Sequence, residues 1–185
     1  MKLYKLTNKH GRTYGECQWG EGVEHSADGE GPLCSEHWIH AYGHPLLAVL
    51  HDMIHGQFLD DKGARLWECE SNDENPMREG QMKLGVRHLC TVRQIPIPEI
   101  TFEQRVAYAI HCALHVYIEP DFVDWAEGWL SGKNRLCYAA YAAYADAAYA
   151  ADAAAYADAA YDAYDDAGSI DLAAIAEQVC DTFYW

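Results

Sequence analysis

The sequence predicts an α+β fold, in which a small, mainly antiparallel sheet with one helix is followed by a C-terminal helical bundle containing a long Ala-rich helix. Two observations predict this class. Up to position 98, short apolar segments alternate with clusters of Gly, Asn, Asp and Pro, as is typical of strands joined by turns. From position 99 onward, apolar residues recur at helical spacing. We therefore predict an α+β domain at residues 1–98 and a helical domain at residues 99–185.

The first domain is predicted to consist of short strands around one helix. The helix begins at Pro45, because Pro is favoured at the first helical position, and it ends at Gly56. A turn at residues 8–11 leads to a short strand around Thr13 and Tyr14. The other extended segments are predicted at residues 1–7, 23–26, 33–42 and 64–70 and, after a polar loop at 71–80, as one or two strands at 82–97.

The second domain is predicted to be helical throughout. Thr101 and Gln104 fit a capping box at the start of its first helix. Pro120 begins the next helix, which ends at Ser131 and Gly132. Ser169 is expected to cap the last helix, with these residues on its buried side: Leu172, Ile175, Ala176, Val179 and Phe183. Helices joined by short turns are expected to pack as a bundle.

Residues 138–167, which we call the acidic stretch, consist only of Ala, Tyr and Asp. Ala has the highest helix propensity, and the stretch contains no Gly, Pro or β-branched residue, so we predict one helix of roughly 45 Å. The heptamer Ala-Tyr-Ala-Asp-Ala-Ala-Tyr occurs at 143–149 and again at 155–161, which indicates a short internal repeat. Tyr138, Tyr149 and Tyr156 fall on one side of this helix and predict a packing seam.

The Asp residues of the acidic stretch are expected to face away from that seam. Asp162, Asp165 and Asp166 lie in the last turns, where the helix dipole disfavours negative charge, so helix stability alone does not explain them. The alternative is that an exposed Ala-rich helix carries acids only to remain soluble. The predicted contact residues are the six Asp and four Tyr outside the seam, because Tyr is enriched at interfaces: Asp146, Asp152, Asp158, Asp162, Asp165, Asp166, Tyr141, Tyr144, Tyr161 and Tyr164.

The charge of the chain indicates a basic partner. The formal net charge of −16 is unevenly distributed, with −4 over residues 1–98, −12 over 99–185 and no Lys or Arg from Leu136 onward. Nucleic acids and anionic membranes attract basic surfaces, so this distribution argues against direct binding to either. The chain contains no run of about 18 apolar residues, so no transmembrane helix is predicted. Seven scattered Cys without a Cys-x-x-Cys pair indicate reduced thiols, and we expect a soluble cytoplasmic protein.

No metal, cofactor or catalytic residue is assigned from the sequence. His51 and His55, and likewise His111 and His115, are four residues apart and could each supply two metal ligands, but no third ligand follows at a recognised spacing. The order of a strand, a His-rich segment, a helix and a Leu-Trp-Glu-Cys-Glu strand resembles the core of ADP-ribosyltransferases. In those enzymes a His or Arg, a Tyr or Ser and a Glu bind NAD, and the corresponding residues here would be His40, Tyr42 and Glu68.

A further resemblance covers nearly the whole chain. Together with the Ala-rich tail, it is carried by the segments Tyr4-Lys5, Leu33-Cys34, Trp38-Ile39-His40-Ala41-Tyr42, 45–50, Leu66-Trp67-Glu68, 95–99, 122–126 and Trp129-Leu130-Ser131-Gly132. In these segments the chain resembles small proteins of bacteriophages and prophages. The resemblance brings no established activity and no catalytic residues. It implies a phage-encoded accessory protein, such as an anti-CRISPR or other anti-defence protein.

These observations lead to one functional hypothesis and two alternatives. Asp152, Asp158, Asp162 and Asp165 would be roughly 5–9 Å apart along a helix, on the scale of successive phosphates in one nucleic-acid strand. The hypothesis is a non-enzymatic inhibitor that binds the basic surface of a host CRISPR effector or nuclease by DNA mimicry. The first alternative is a small NAD-binding enzyme or ligand-binding domain in residues 1–97. The second is a structural phage component, for which self-association into a homo-oligomer would be the sign.

Overall fold

The computed structural model describes residues 1–52, 56–60, 62–79, 83–115, 117–133, 135 and 170–182. The chain divides into two compact units, Met1–Glu99 and Ile100–Trp185. Antiparallel strands in the first unit and helices in the second confirm the predicted α+β class. The long helix predicted at 138–167 lies outside the described residues.

The described residues of the first unit form two antiparallel sheets. In chain order the strands are β1 Lys2–Thr7, β2 Glu24–Ser26, β3 Ile39–Ala41, β4 Arg65–Glu70, β5 Met77–Glu79, β6 Lys83–Val86 and β7 His88–Ile95. One sheet has four strands in the order β1-β4-β7-β2, and the other has three in the order β3-β6-β5. An isolated bridge between Tyr4 and Tyr42 links the end of β3 to β1.

The core of the first unit lies on one face of the four-stranded sheet. Alternation along β1 turns Leu3 inward, and its partner in the register is the buried Cys69 of β4. The buried cluster comprises Leu3, Trp19, Ala41, Trp67, Cys69, Leu84, Val86 and Leu89, so both sheets contribute to it. Leu66 is adjacent to Trp67, points to the opposite face and is also buried, which means that both faces of β4 are covered.

Helix α1, Pro45–Leu50, begins at the predicted residue and ends earlier than Gly56. His44 is its N-cap, and the ring Nδ1 accepts a hydrogen bond from the Leu46 amide at 3.3 Å. The carboxylate of the buried Asp52 accepts hydrogen bonds from two amides in the next turn. This turn is a short 3-10 helix, Phe58–Asp60.

Three local predictions in the first unit are wrong. The strand expected around Thr13 and Tyr14 is a 3-10 turn, Tyr14–Glu16, because Gly15 and Glu16 adopt φ values of 67° and 58° that reverse the chain. Within 33–42, only the segment assigned to β3 is a strand. The loop predicted at 71–80 contains β5, which forms by pairing with β6.

The second unit contains three described helices: α2 Phe102–Leu114, α3 Pro120–Leu130 and α4 Leu172–Thr182. The capping box predicted at Thr101 and Gln104 is present, with both reciprocal hydrogen bonds formed. Helices α2 and α4 pack together, and the Gln104 side-chain amide donates to the Cys180 carbonyl at 3.1 Å. Asp171 accepts a hydrogen bond from the Ala174 amide and so caps α4. Ser169, the predicted cap, lies outside the described residues.

Among the described residues, no helix combines the length and the apolar character needed to cross a membrane.

Candidate functional site

The ten contact residues predicted in the acidic stretch all lie outside the described residues: Asp146, Asp152, Asp158, Asp162, Asp165, Asp166, Tyr141, Tyr144, Tyr161 and Tyr164. The described part of the same unit nevertheless carries a related surface on helix α3. This surface was not singled out from the sequence, although the spacing of its acids could have indicated it.

Three carboxylates define the acidic face of α3: Asp121, Asp124 and Glu127, all exposed. They are three residues apart, so successive carboxylates rise by about 4.5 Å along the helix axis. Ala126 and Trp129 are buried on the other side of the helix. No ion pair within the described part of the chain involves these three acids. Their charge is therefore directed to solvent.

The acids of the first unit are used differently, because many of them have a cationic partner. The Glu68 carboxylate contacts Lys2 Nζ at 2.9 Å and Arg93 at 3.1 Å, and these two cations hold the pKa of Glu68 below its usual value. The buried carboxylate of Asp73 pairs at 2.6 Å with Arg87, whose side chain is about half exposed. Three further pairs are Arg12–Glu16, Asp28–His37 and Glu24–His88. The contacts with Lys2, Arg12, Arg87 and Arg93 offset part of the acidic charge of this unit.

An aromatic surface accompanies the acidic face of α3. Tyr117 and Phe122 have ring centroids 5.1 Å apart in an edge-to-face arrangement, and Phe122 and Trp125 follow at 5.8 Å. Tyr117 is half exposed, and Ile118 is 78% exposed. Exposed aromatic groups next to charged side chains are typical of protein interfaces. Helix α3 and the turn before it thus combine acidic and aromatic residues, as the acidic stretch also does.

The three residues of the ADP-ribosyltransferase-like alternative have separate contacts in the fold. Tyr4 of β1 lies between Tyr42 and Glu68, because it forms an isolated bridge with Tyr42 and pairs with Glu68 of β4. Tyr42 is buried, and burial raises the pKa of its hydroxyl well above the usual value. The His40 ring Nε2–H donates to the Leu33 carbonyl. Since Tyr42 is buried, His40, Tyr42 and Glu68 do not share an exposed surface.

The two His pairs do not form a described metal site. The His115 ring Nδ1–H donates to the His111 carbonyl at 2.8 Å, and burial lowers the pKa of His111. His51 is buried, and its predicted partner His55 lies outside the described residues. Within the described ranges, no group of three or more His, Cys, Asp or Glu side chains could hold a metal ion.

Lys5 on β1 is a buried cation that was not predicted from the sequence. Its Nζ donates to the His40 carbonyl at 2.7 Å and lies 4.7 Å from the centroid of the Trp19 ring. Burial lowers the pKa of Lys5 to about 8. The inward position of Lys5, between Leu3 and Thr7 in the alternation of β1, is the signal that could have identified it. Taking this charge out of water lowers the stability of the folded state.

No protein-family model, curated protein or solved structure matches this chain.

Proposed function

We propose that this protein is a phage-encoded, non-enzymatic inhibitor that acts in the cytoplasm of an infected bacterial host. It binds a host defence complex, such as a CRISPR effector or a nuclease, and blocks the nucleic-acid-binding surface by DNA mimicry. The observation that carries the proposal is the concentration of negative charge in the second half of the chain, where residues 99–185 have a net charge of −12 and no Lys or Arg follows Arg135. Such a surface attracts Lys and Arg that otherwise hold phosphates.

The acidic face of α3 supports this proposal with described geometry. Asp121, Asp124 and Glu127 are exposed, have no described ion pair and rise in steps of about 4.5 Å. Successive phosphates of one DNA strand rise by about 3.4 Å, so a row of Lys or Arg that follows phosphates can contact this face with small side-chain adjustments. The acidic stretch would extend the same kind of surface.

The aromatic groups beside α3 support a protein partner in particular. Tyr117 and Trp125 offer large contact areas with few rotatable bonds, which is why aromatic side chains dominate the energetics of many interfaces. A purely electrostatic surface would bind weakly at physiological salt, because exposed charges are screened over about 8 Å. Exposed aromatic contacts would add affinity that salt does not remove.

Two charge-neutralised variants test the proposal against a matched control. The first replaces all six Asp of the acidic stretch by Asn, and the second is Asp121→Asn, Asp124→Asn and Glu127→Gln. The control is Glu21→Gln, Glu30→Gln and Glu36→Gln, which removes as many charges as the second variant from exposed positions in the first unit. Each tagged protein is incubated with bacterial host lysate at low and high salt, with and without duplex DNA, and captured proteins are identified by mass spectrometry.

We expect the wild type and the control to capture a nucleic-acid-binding defence protein, and we expect DNA and high salt to reduce its recovery. The six-Asp variant should lose this capture, and the α3 variant should weaken it. If the six-Asp variant retained both capture and its salt dependence, DNA mimicry by the acidic stretch would be refuted. Recovery that DNA does not reduce would show that the partner is bound away from its nucleic-acid site.

A further inference from the structure

The loop between β2 and β3 is packed directly on strand β6. Leu33 in this loop has no exposed surface, and Trp38 is also buried. Both lie over Gly85, where an added Cβ would be 2.4 Å from Leu33 Cδ1 and 3.0 Å from Trp38 Cβ. Only Gly allows the loop to approach the strand this closely. Leu33 and Trp38 therefore have defined positions against β6.

Hydrogen bonds within the loop restrict its backbone on both sides of Cys34. The Ser35 amide donates to the Leu33 carbonyl at 2.9 Å, and the Ser35 hydroxyl donates to the Pro32 carbonyl at 2.7 Å. The Trp38 indole N–H donates to the Gly31 carbonyl at 3.0 Å. These bonds, together with the buried Leu33, hold Cys34 over the first residue of β6.

That residue is Lys83, whose Nζ lies 3.1 Å from Cys34 Sγ. Lys83 is only 7% exposed, and within the described residues the sulfur is the acceptor that its ammonium contacts. Cys34 is exposed, whereas the five other described cysteines are buried or partly buried. A small oxidant can therefore reach the sulfur from solvent while a buried amine is held on its other side.

We propose that Cys34 and Lys83 form a peroxide-sensitive pair in which oxidation of the thiol leads to a covalent cross-link between the two side chains. The thiolate of Cys34 attacks one oxygen of hydrogen peroxide, the O–O bond breaks, and hydroxide leaves. The hydroxide takes a proton from the Lys83 ammonium to give water. The neutral amine then attacks the sulfenic sulfur, an S–N bond forms, and the sulfenic oxygen leaves as a second water. The pair loses two electrons, and one peroxide is reduced to two waters.

The cross-link would connect the loop to β6 across 49 sequence positions. A covalent bond between positions so far apart restricts the unfolded chain far more than the folded one. The native contact already brings the two atoms together, so little rearrangement is needed. We therefore expect oxidation at this pair to raise the thermal stability of the first unit.

The test treats the full-length wild-type protein with increasing hydrogen peroxide, blocks remaining thiols with iodoacetamide and maps peptides by mass spectrometry. We expect a linked peptide containing Cys34 and Lys83 that is two hydrogen atoms lighter than the reduced pair and is lost after dithiothreitol. One additional oxygen in the linked peptide would show that a second peroxide had oxidised the S–N-linked pair, to a sulfinamide or an S–O–N bridge with release of one further water, and would also support the cross-link. The melting temperature should rise with the linked fraction.

Two variants separate the cross-link from simple thiol oxidation. Cys34→Ser should give no linked peptide, and Lys83→Arg should let Cys34 proceed to sulfinic acid, because the guanidinium does not supply a nucleophilic amine. Cys90→Ser is the control and should retain the cross-link. The proposal is overturned if the wild type yields Cys34 sulfinic acid, a disulfide or an unmodified thiol without any linked peptide. This result on the wild type decides the question even if Lys83→Arg does not fold.

Discussion

Replacing Lys5 by Met removes a buried positive charge while retaining the length of the side chain, and we expect the resulting change in stability to depend strongly on pH. Lys5 is buried in β1, with its Nζ against the His40 carbonyl and the Trp19 ring. Burial lowers its pKa from 10.5 to about 8. A lysine with a lowered pKa destabilises the folded state when it is charged, because unfolding returns the charge to water.

The magnitude follows from the difference between the two pKa values. One pKa unit corresponds to about 1.4 kcal/mol, so the buried charge costs roughly 3 kcal/mol at pH 7. This cost is fully present below pH 8 and disappears as the pH rises toward 10.5. The free energy of unfolding of the wild type should therefore rise by roughly 2 to 3 kcal/mol between pH 7 and pH 10, as Lys5 loses its charge. The Lys5→Met variant also loses two interactions of the wild type. These are the hydrogen bond from Lys5 Nζ to the His40 carbonyl, worth about 1 kcal/mol, and the cation–π contact with the Trp19 ring.

Urea unfolding at several pH values measures this effect directly. We expect the free energy of unfolding of Lys5→Met, relative to wild type, to be highest at pH 7 and to fall by roughly 2 to 3 kcal/mol by pH 10. Lys62→Met, at an exposed position, is the control and should show a much smaller change. A difference between Lys5→Met and wild type that stayed constant from pH 7 to pH 10 would refute the inference that Lys5 is buried as a charge.

Further predictions concern packing, a partly buried ion pair and a helix cap. Gly85→Ala should destabilise by about 1 to 3 kcal/mol through overpacking, whereas Gly128→Ala, which meets no atom within 4 Å, should be neutral or stabilising in thermal melts. Asp73→Asn should cost about 2 to 3 kcal/mol in urea unfolding at pH 7, because charged hydrogen bonds from Arg87 are lost. Arg87 holds the Asp73 pKa well below its usual value, so this difference should shrink progressively as the pH falls from about 4 toward the lowered pKa, and a difference that did not change below pH 4 would contradict the assignment. Thr101→Ala should reduce stability by about 1 kcal/mol, and an unchanged urea midpoint would exclude a stabilising cap.

Local signals allowed much of the helical unit to be predicted. The capping box at Thr101 and Gln104 and the proline at position 120 mark helix starts through contacts within one turn of the chain. Strand β1 was predicted at nearly its observed bounds because its sequence favours extended backbone. Neighbouring residues alone determine these features, so a single sequence contains the information.

The wrong predictions share a physical cause. Strand β5 lies in a polar segment and forms because Arg78 pairs with Leu84 of β6. The turn at Tyr14–Glu16 depends on a left-handed backbone conformation at both Gly15 and Glu16. Glu rarely adopts this conformation. In each case, the rest of the fold decides against the intrinsic preference of the segment.

The sequence by itself determined the α+β class, the helix starts and the accumulation of acidic residues in the second half of the chain, since these follow from composition and from spacing within a few residues. The tertiary structure decided which polar groups are buried and which are exposed. It placed Lys5 in the core, joined Asp73 to Arg87 and brought Cys34 to Lys83. The last two pairs join residues 14 and 49 positions apart. Such contacts arise when strands and loops pack, because packing depends on three-dimensional neighbours that no local pattern encodes.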